Sequence, residues 1–281
     1  YGLLLDADME LFVDNAFDKA LISKFDMLKL RQRHIFQDNL EYHNTRIIRM
    51  SLPWKCVGVT HEFWTTMIDS SVFLPEQAQV NLPSDMHEGI IQHDKLYIRD
   101  LQDGGCKEDK FERDVRLLEG ALNDGLTALE KAMLLEPRYY FYLGQSYFGL
   151  KNLEKSLEAY QKRLEFSVFP EEEWFAMYVI AKIYALQEDE EKTIQAAERA
   201  FDFRPTRAEP MVFLTEYFLK KKKDNKRAYD CLQKVKHLKK PERDVINIES
   251  DIYDYRMYFF ETLLIPSVEY GLVLDESFCL P

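Results

Sequence analysis

The sequence predicts a mixed α/β unit followed by an all-α array of helical hairpins. Three observations predict it. Up to about residue 105, short apolar runs alternate with turn residues; beyond Lys107 the apolar spacing changes to threes and fours; and in that second part small and aromatic residues recur at about 34-residue intervals. A chain of 281 residues exceeds the usual single-domain size, so two units are expected. Apolar residues make up 46%, with only 10 Gly and 10 Pro, so a sizeable core can be buried and global disorder is not expected.

In the first part, Leu3-Leu4-Leu5, Arg46-Ile47-Ile48-Arg49-Met50, Cys56-Val57-Gly58-Val59 and Leu96-Tyr97-Ile98 read as strands. Phe111, Val115, Leu118 and Leu122 then share one helix face, and Asn123-Asp124-Gly125 is expected to break that helix. The expected boundaries are a sheet-bearing unit over 1–105, connecting helices over 106–136, about three repeats over 137–241, and a capping helix with a tail over 242–281.

Within the repeats, Gly144, Ala181 and Thr215 occupy equivalent positions, as do Tyr147, Tyr184 and Phe218. The steps are 37 and then 34 residues, the second being the tetratricopeptide period. The small residues let paired helices approach, the aromatics fill the space between hairpins, and Pro205 and Pro241 stop the second helices. An ordinary helical bundle is the alternative. Ile248, Ile252, Tyr255 and Phe259 place one face on a last helix, read as a cap.

The net charge of −12 argues against nucleic acid as the main partner, because a phosphate backbone must be met by clustered Lys and Arg. The four cysteines, Cys56, Cys106, Cys231 and Cys279, form no Cys-x-x-Cys pair, so neither a zinc site nor a disulfide framework is suggested and a reducing cytoplasm is expected. No apolar run approaches the roughly 18 residues of a membrane span, and the first residues lack a signal-peptide core.

Three segments carry candidate chemistry. The first is Leu4-Leu5-Asp6-Ala7-Asp8, two acids directly after an apolar run expected to be a buried strand; with 49 acidic residues the spacing alone decides nothing, and a helix N-cap is the alternative. A buried strand ending in acids would deliver them to the carboxyl edge of an open sheet, where α/β proteins bind ligands. The second is Gly58-Val-Thr-His61-Glu62, a strand end at which Glu62 is a candidate general base with His61 its neighbour, or at which both make structural hydrogen bonds. The third is Asp100-Leu-Gln-Asp103-Gly104-Gly105-Cys-Lys107-Glu-Asp-Lys110-Phe-Glu-Arg113-Asp114. There two glycines precede a helix on which Lys107, Lys110 and Arg113 share a face, either an anion clamp or a solvated charged surface.

Together these segments resemble the second half of a family 2, GT-A-fold glycosyltransferase with C-terminal tetratricopeptide repeats. The resemblance covers nearly the whole chain. It implies a Rossmann-like mixed sheet and inverting transfer of a sugar from a nucleotide-sugar donor to a glycan, peptide or protein acceptor. By that likeness Asp8 is the direct ligand of Mn²⁺ or Mg²⁺, and Asp6 contacts the ribose or a metal-bound water. Asp100 stands where relatives place a histidine that completes the metal shell, with His93 upstream. Lys107, Lys110 and Arg113 hold the donor diphosphate, and Glu62 takes the acceptor proton beside His61. In that family the acid motif follows a nucleotide-binding half, which a chain with the motif at residue 6 is expected to lack. The competing expectation is a non-catalytic module in which the repeats bind a protein partner and the front part is a decayed transferase.

Overall fold

The computed structural model describes residues 1–34, 41–66, 87–91, 94–101, 109–127, 130–131, 133–241, 244 and 246–270. Two compact units divide the chain, residues 1–150 and residues 151–281.

The first unit is built on a mixed sheet of β1 (Gly2–Leu3), β2 (Met9–Val13), β3 (Met27–His34), β4 (Glu41–Ile48), β7 (Glu88–Ile91) and β8 (Leu96–Asp100). Its order is β1-β4-β3-β8-β2, with β7 also on β3. The pairs β1/β4, β3/β4 and β2/β8 are antiparallel, and β3 runs parallel to β7 and β8. Alternation along β3 explains its place at the centre: Leu28, Leu30 and Gln32 are buried while Lys29, Arg31 and Arg33 point the other way. Leu28, Leu30, Ile47, Ile91, Leu96 and Ile98 form the core of this sheet with Phe17. Gly89 is needed on β7 because a Cβ there would fall 2.7 Å from the Phe25 ring and 2.8 Å from Leu28.

A separate hairpin, β5 (Trp54–Val57) with β6 (Phe63–Thr66), precedes helices α1 (Lys110–Asp124) and α2 (Leu135–Gly149). α1 stops at Gly125, whose φ of 82° suits glycine, so the expected break falls where the sequence places it. α1 packs on α2, and the Tyr147 hydroxyl donates to the Glu119 carboxylate.

The second unit is an array of antiparallel helices: α3 (Leu153–Arg163), α4 (Pro170–Leu186), α5 (Glu190–Phe203), α6 (Glu209–Tyr217), α7 (Asn225–Val235) and α8 (Met257–Tyr270). Consecutive helices from α3 to α8 pack on one another. Ala181 and Thr215 sit fully buried in α4 and α6, and the Thr215 hydroxyl lies 2.9 Å from the Met211 carbonyl and 3.3 Å from that of Ala228 on α7. Small residues at these positions therefore allow close helix approach, as their recurrence predicts.

A second periodic device is present at the hairpin turns. Asn152, Asp189 and Asp224 cap α3, α5 and α7, each side chain accepting from the backbone N–H three residues on. Each cap follows a residue in the left-handed region: Lys151, Glu188 and Lys223 have φ of 59°, 62° and 52°.

The segment before α8 departs from the expected helix. Ile252–Arg256 is π-helical, and that wider turn rotates the following face. Tyr255 is exposed, and Tyr253, Met257, Phe260 and Leu264 are the residues that pack inward with Ile252. No helix among the described residues is long and apolar enough to cross a membrane.

Candidate functional site

The acids of the opening motif lie on a turn. β1 is a two-residue edge strand, Leu3 and Leu5 are exposed, and the turn closes with the Met9 N–H on the Asp6 carbonyl at 3.1 Å. The expected buried strand is not what precedes them, because at the sheet edge the apolar run has no layer to pack against. What fixes the turn is Arg46. Its buried guanidinium donates to Gln32 Oε1 at 2.9 and 3.0 Å, to the Leu4 carbonyl at 3.3 Å, and to Asp6 Oδ2 at 3.2 Å. Asp6, its side chain largely exposed, thereby forms an ion pair with Arg46 through Oδ2.

Asp8 has a different neighbour. In the β2/β8 ladder Met9 faces Asp100, and the Leu101 N–H donates to the Asp8 carbonyl at 2.9 Å. The fold thus brings the backbones of Asp8 and Asp100, far apart in sequence, to one end of the sheet, with the Asp100 side chain buried. Among the described residues no group of three His, Cys, Asp or Glu side chains converges as a metal site. His93 and Lys107 lie outside the described residues.

His61 and Glu62 lie in the loop joining β5 to β6, not at the end of a strand. Gly58 with φ of 111° and His61 with φ of 51° give the loop its sharp course. The Thr60 hydroxyl donates to Asp114 Oδ1 at 3.0 Å, and Asp114, on α1, is 1% exposed. The His61 ring stacks on Tyr142 of α2, centroids 3.7 Å apart and planes 5° from parallel. Arg138 of α2 donates to the His61 carbonyl at 3.4 Å and lies over the Tyr142 and Phe63 rings. Burial pushes the His61 imidazole down to about 4, against the pull of Asp114 and with Lys110, Arg138 and Arg113 adding to the depression.

Of the predicted site residues, then, His61, Lys110 and Arg113 come together here. Glu62 is exposed in the same loop; Asp6 and Asp8 lie on the turn before β2, and Asp100 lies at the end of β8 without converging with them as a metal site. Arg46, Gln32, Asp114, Arg138 and Tyr142 were not foreseen. Asp114 had a signal, its i+4 spacing from Lys110 on one helix face; Arg138 and Tyr142 had none, being packed on the loop only by the tertiary fold. A neutral imidazole with so low a pKa is a weak base near neutral pH.

A third feature lies wholly in the second unit. α3, α4 and α5 enclose an open groove of about 310 Å³. Its apolar floor is Leu164, the residue that follows α3, with Met177, Ile180 and Tyr184 of α4. Along α5 the rim is Lys192, Gln195, Ala196 and Arg199, a single stripe at i, i+3, i+4 and i+7. Lys192 pairs with Asp189 at 2.8 Å and Gln195 donates to Glu191 at 3.1 Å. Arg199 is exposed and acts on Glu173 only electrostatically.

No protein-family model matches the chain, and no curated protein matches it. Among solved structures it is similar to the crystal structure of MamA, at 18% identity and a TM-score of 0.32 over 46% of this chain and 78% of that one. It is also similar to the crystal structure of YrrB, a TPR protein with an unusual peptide-binding site, at 14% identity and a TM-score of 0.39, covering 55% of this chain and 67% of that one. A further MamA protein structure is 13% identical, with a TM-score of 0.37 over 60% of this chain and 90% of that one.

Proposed function

We propose that this chain is a protein-interaction module whose helical array holds a segment of a protein partner. The observation that supports this reading is the groove over α3, α4 and α5: apolar side chains flanked by the polar and charged groups of Gln161, Lys192, Gln195 and Arg199 are the composition of a recognition site. Selection of random peptides on the full chain tests it. The expected result is one enriched sequence class whose affinity drops at least about tenfold in Tyr184→Glu. No enrichment over an unrelated helical protein would sink the reading.

A second reading rests on the sequence resemblance. In it the first unit carries metal-dependent sugar transfer from a nucleotide-sugar, the activity that the sequence resemblance implies. By that resemblance a hard cation would take Asp8 as its direct protein ligand, with donor phosphate oxygens in other positions, while Asp6 is paired to Arg46. When bound it would offset charge on the departing diphosphate. Lys110 and Arg113 would face the same anion, and Glu62, exposed beside His61, would accept the proton of the attacking acceptor hydroxyl.

A further inference from the structure

Resting on the interaction-module reading, we infer that the occupant of the groove is an acidic amphipathic helix that places leucine-like side chains on Met177 and Ile180 and a carboxylate on Arg199.

The shape of the groove selects a helix. Lys192 and Arg199 stand seven residues apart on α5, about 10 Å along its axis. Between them Gln195 and Ala196 leave the apolar floor open. A helix laid along α5 presents its own side chains at i, i+3, i+4 and i+7 over the same two turns, so its central pair meets the floor while its outer pair meets the rim. An extended segment fits less well. α3, α4 and α5 offer no sheet edge, so its backbone N–H and C=O groups would face apolar side chains without partners.

Charge selects the sign. The chain as a whole carries −12, which disfavours acidic partners over most of its surface. At the groove the balance is local. Asp189 offsets Lys192 at one end and Glu191 stands beside Gln195, whereas Arg199 at the other end makes no hydrogen bond or ion pair among the described residues. Burial pushes the Glu173 carboxyl up, and Arg163 and then Arg199 oppose this through space. The strong point for a partner carboxylate is therefore Arg199, whose guanidinium can receive it bidentately.

Fluorescence anisotropy with the full chain tests this. The probe is a capped, fluorescein-labelled, alanine-based helical peptide carrying glutamate at i and i+7 and leucine at i+3 and i+4. Saturable binding is expected, weakening as salt rises. Arg199→Glu, at an exposed position, should keep the helical dichroism of the chain and weaken binding about tenfold. A second probe with lysine in place of both glutamates should bind Arg199→Glu better than the unaltered chain. Equal binding of the glutamate probe to both proteins, or no preference of the lysine probe for the variant, overturns the inference. Peptides of another class that bind the chain regardless of residue 199 would keep the interaction module and overturn only this occupant; failure of every peptide would remove both.

Discussion

The imidazole Nε2 of His61 lies 3.7 Å from the carboxylate of Asp114, a contact longer than a hydrogen bond, between a hairpin loop and the first long helix. Thr60 and Arg113 both donate to Asp114 Oδ1, while Oδ2, the oxygen that faces His61, stays beyond bonding distance, so the histidine gains attraction without a hydrogen bond to this carboxylate. Stacking on Tyr142 and burial then hold the ring neutral.

The pH consequence has a definite sign. His61 has a folded value of about 4 against an ordinary 6.5, so between those values the unfolded chain binds a proton that the folded one refuses. Stability contributed at neutral pH should fall as pH drops from 6.5 towards 4. Nuclear magnetic resonance titration of the His61 ring should show a midpoint near pH 4, and His61→Asn, which tolerates the positive φ, should shrink the loss of melting temperature between pH 7 and 5. A midpoint near 6.5 would mean that the ring is not held as described.

If the first unit transfers sugar, its chemistry should depend on a divalent cation. Turnover of a nucleotide-sugar should vanish in excess chelator and return with Mn²⁺ or Mg²⁺, and Asp8→Ala should cost at least about 10²-fold. Glu62→Gln should lower turnover by roughly 10² with donor affinity little changed. Full activity with chelator present would remove the metal from the reading, and unaltered turnover in Glu62→Gln would move the base elsewhere.

The helical half was legible because its signals are local. A face repeating at i, i+3 and i+4 and a small residue recurring at Gly144, Ala181 and Thr215 need no knowledge of distant partners. The caps at Asn152, Asp189 and Asp224 were equally available, since an Asx residue recurs at steps of 37 and 35, but their meaning depends on the left-handed residue before each. The sheet was legible only as segments. β4 pairs with β3 locally, but β7 and β8 join it in parallel through residues more than sixty apart, such as Arg33 and Arg99. The same limit hid Arg46, which read as one residue of a strand and proves to anchor the acid turn. It also misled at Leu3 and Leu5, apolar enough for a buried strand but placed at an edge.

The cap periodicity has a direct test. Asn152 accepts from the Lys155 N–H at 3.2 Å at the start of α3, and Asn152→Ala removes that acceptor. A loss of about 1 kcal/mol is expected, and Asn152→Gly should recover most of it, because glycine is itself tolerated at this position. Chemical denaturation of the three proteins measures both. Equal stability of all three would mean that the turn is set by packing and not by the cap.

The largest single effect is expected at Glu209. Arg207 and Glu209 are both fully buried, with the guanidinium held to the carboxylate at 2.8 to 3.1 Å and stacked 3.7 Å above the Trp174 ring. The same guanidinium donates to the Ile246 and Asn247 carbonyls, and the Tyr253 hydroxyl donates to Glu209 at 2.7 Å. The pair therefore ties the segment before α8 to the helix array. Burial opposes the charge on Arg207, but its carboxylate partner outweighs that and raises its pKa. Removing Glu209 leaves the Arg207 charge buried with only the Asp244 carboxylate, 3.4 Å away, and so largely uncompensated; Glu209→Ala should cost about 3 kcal/mol. Replacing both with apolar groups of similar volume, as in Arg207→Met with Glu209→Leu, removes the uncompensated charge and should cost less than the single change. If the double substitution were as damaging as the single one, the bonds to the Ile246 and Asn247 carbonyls, and not the ion pair, would be what holds this segment.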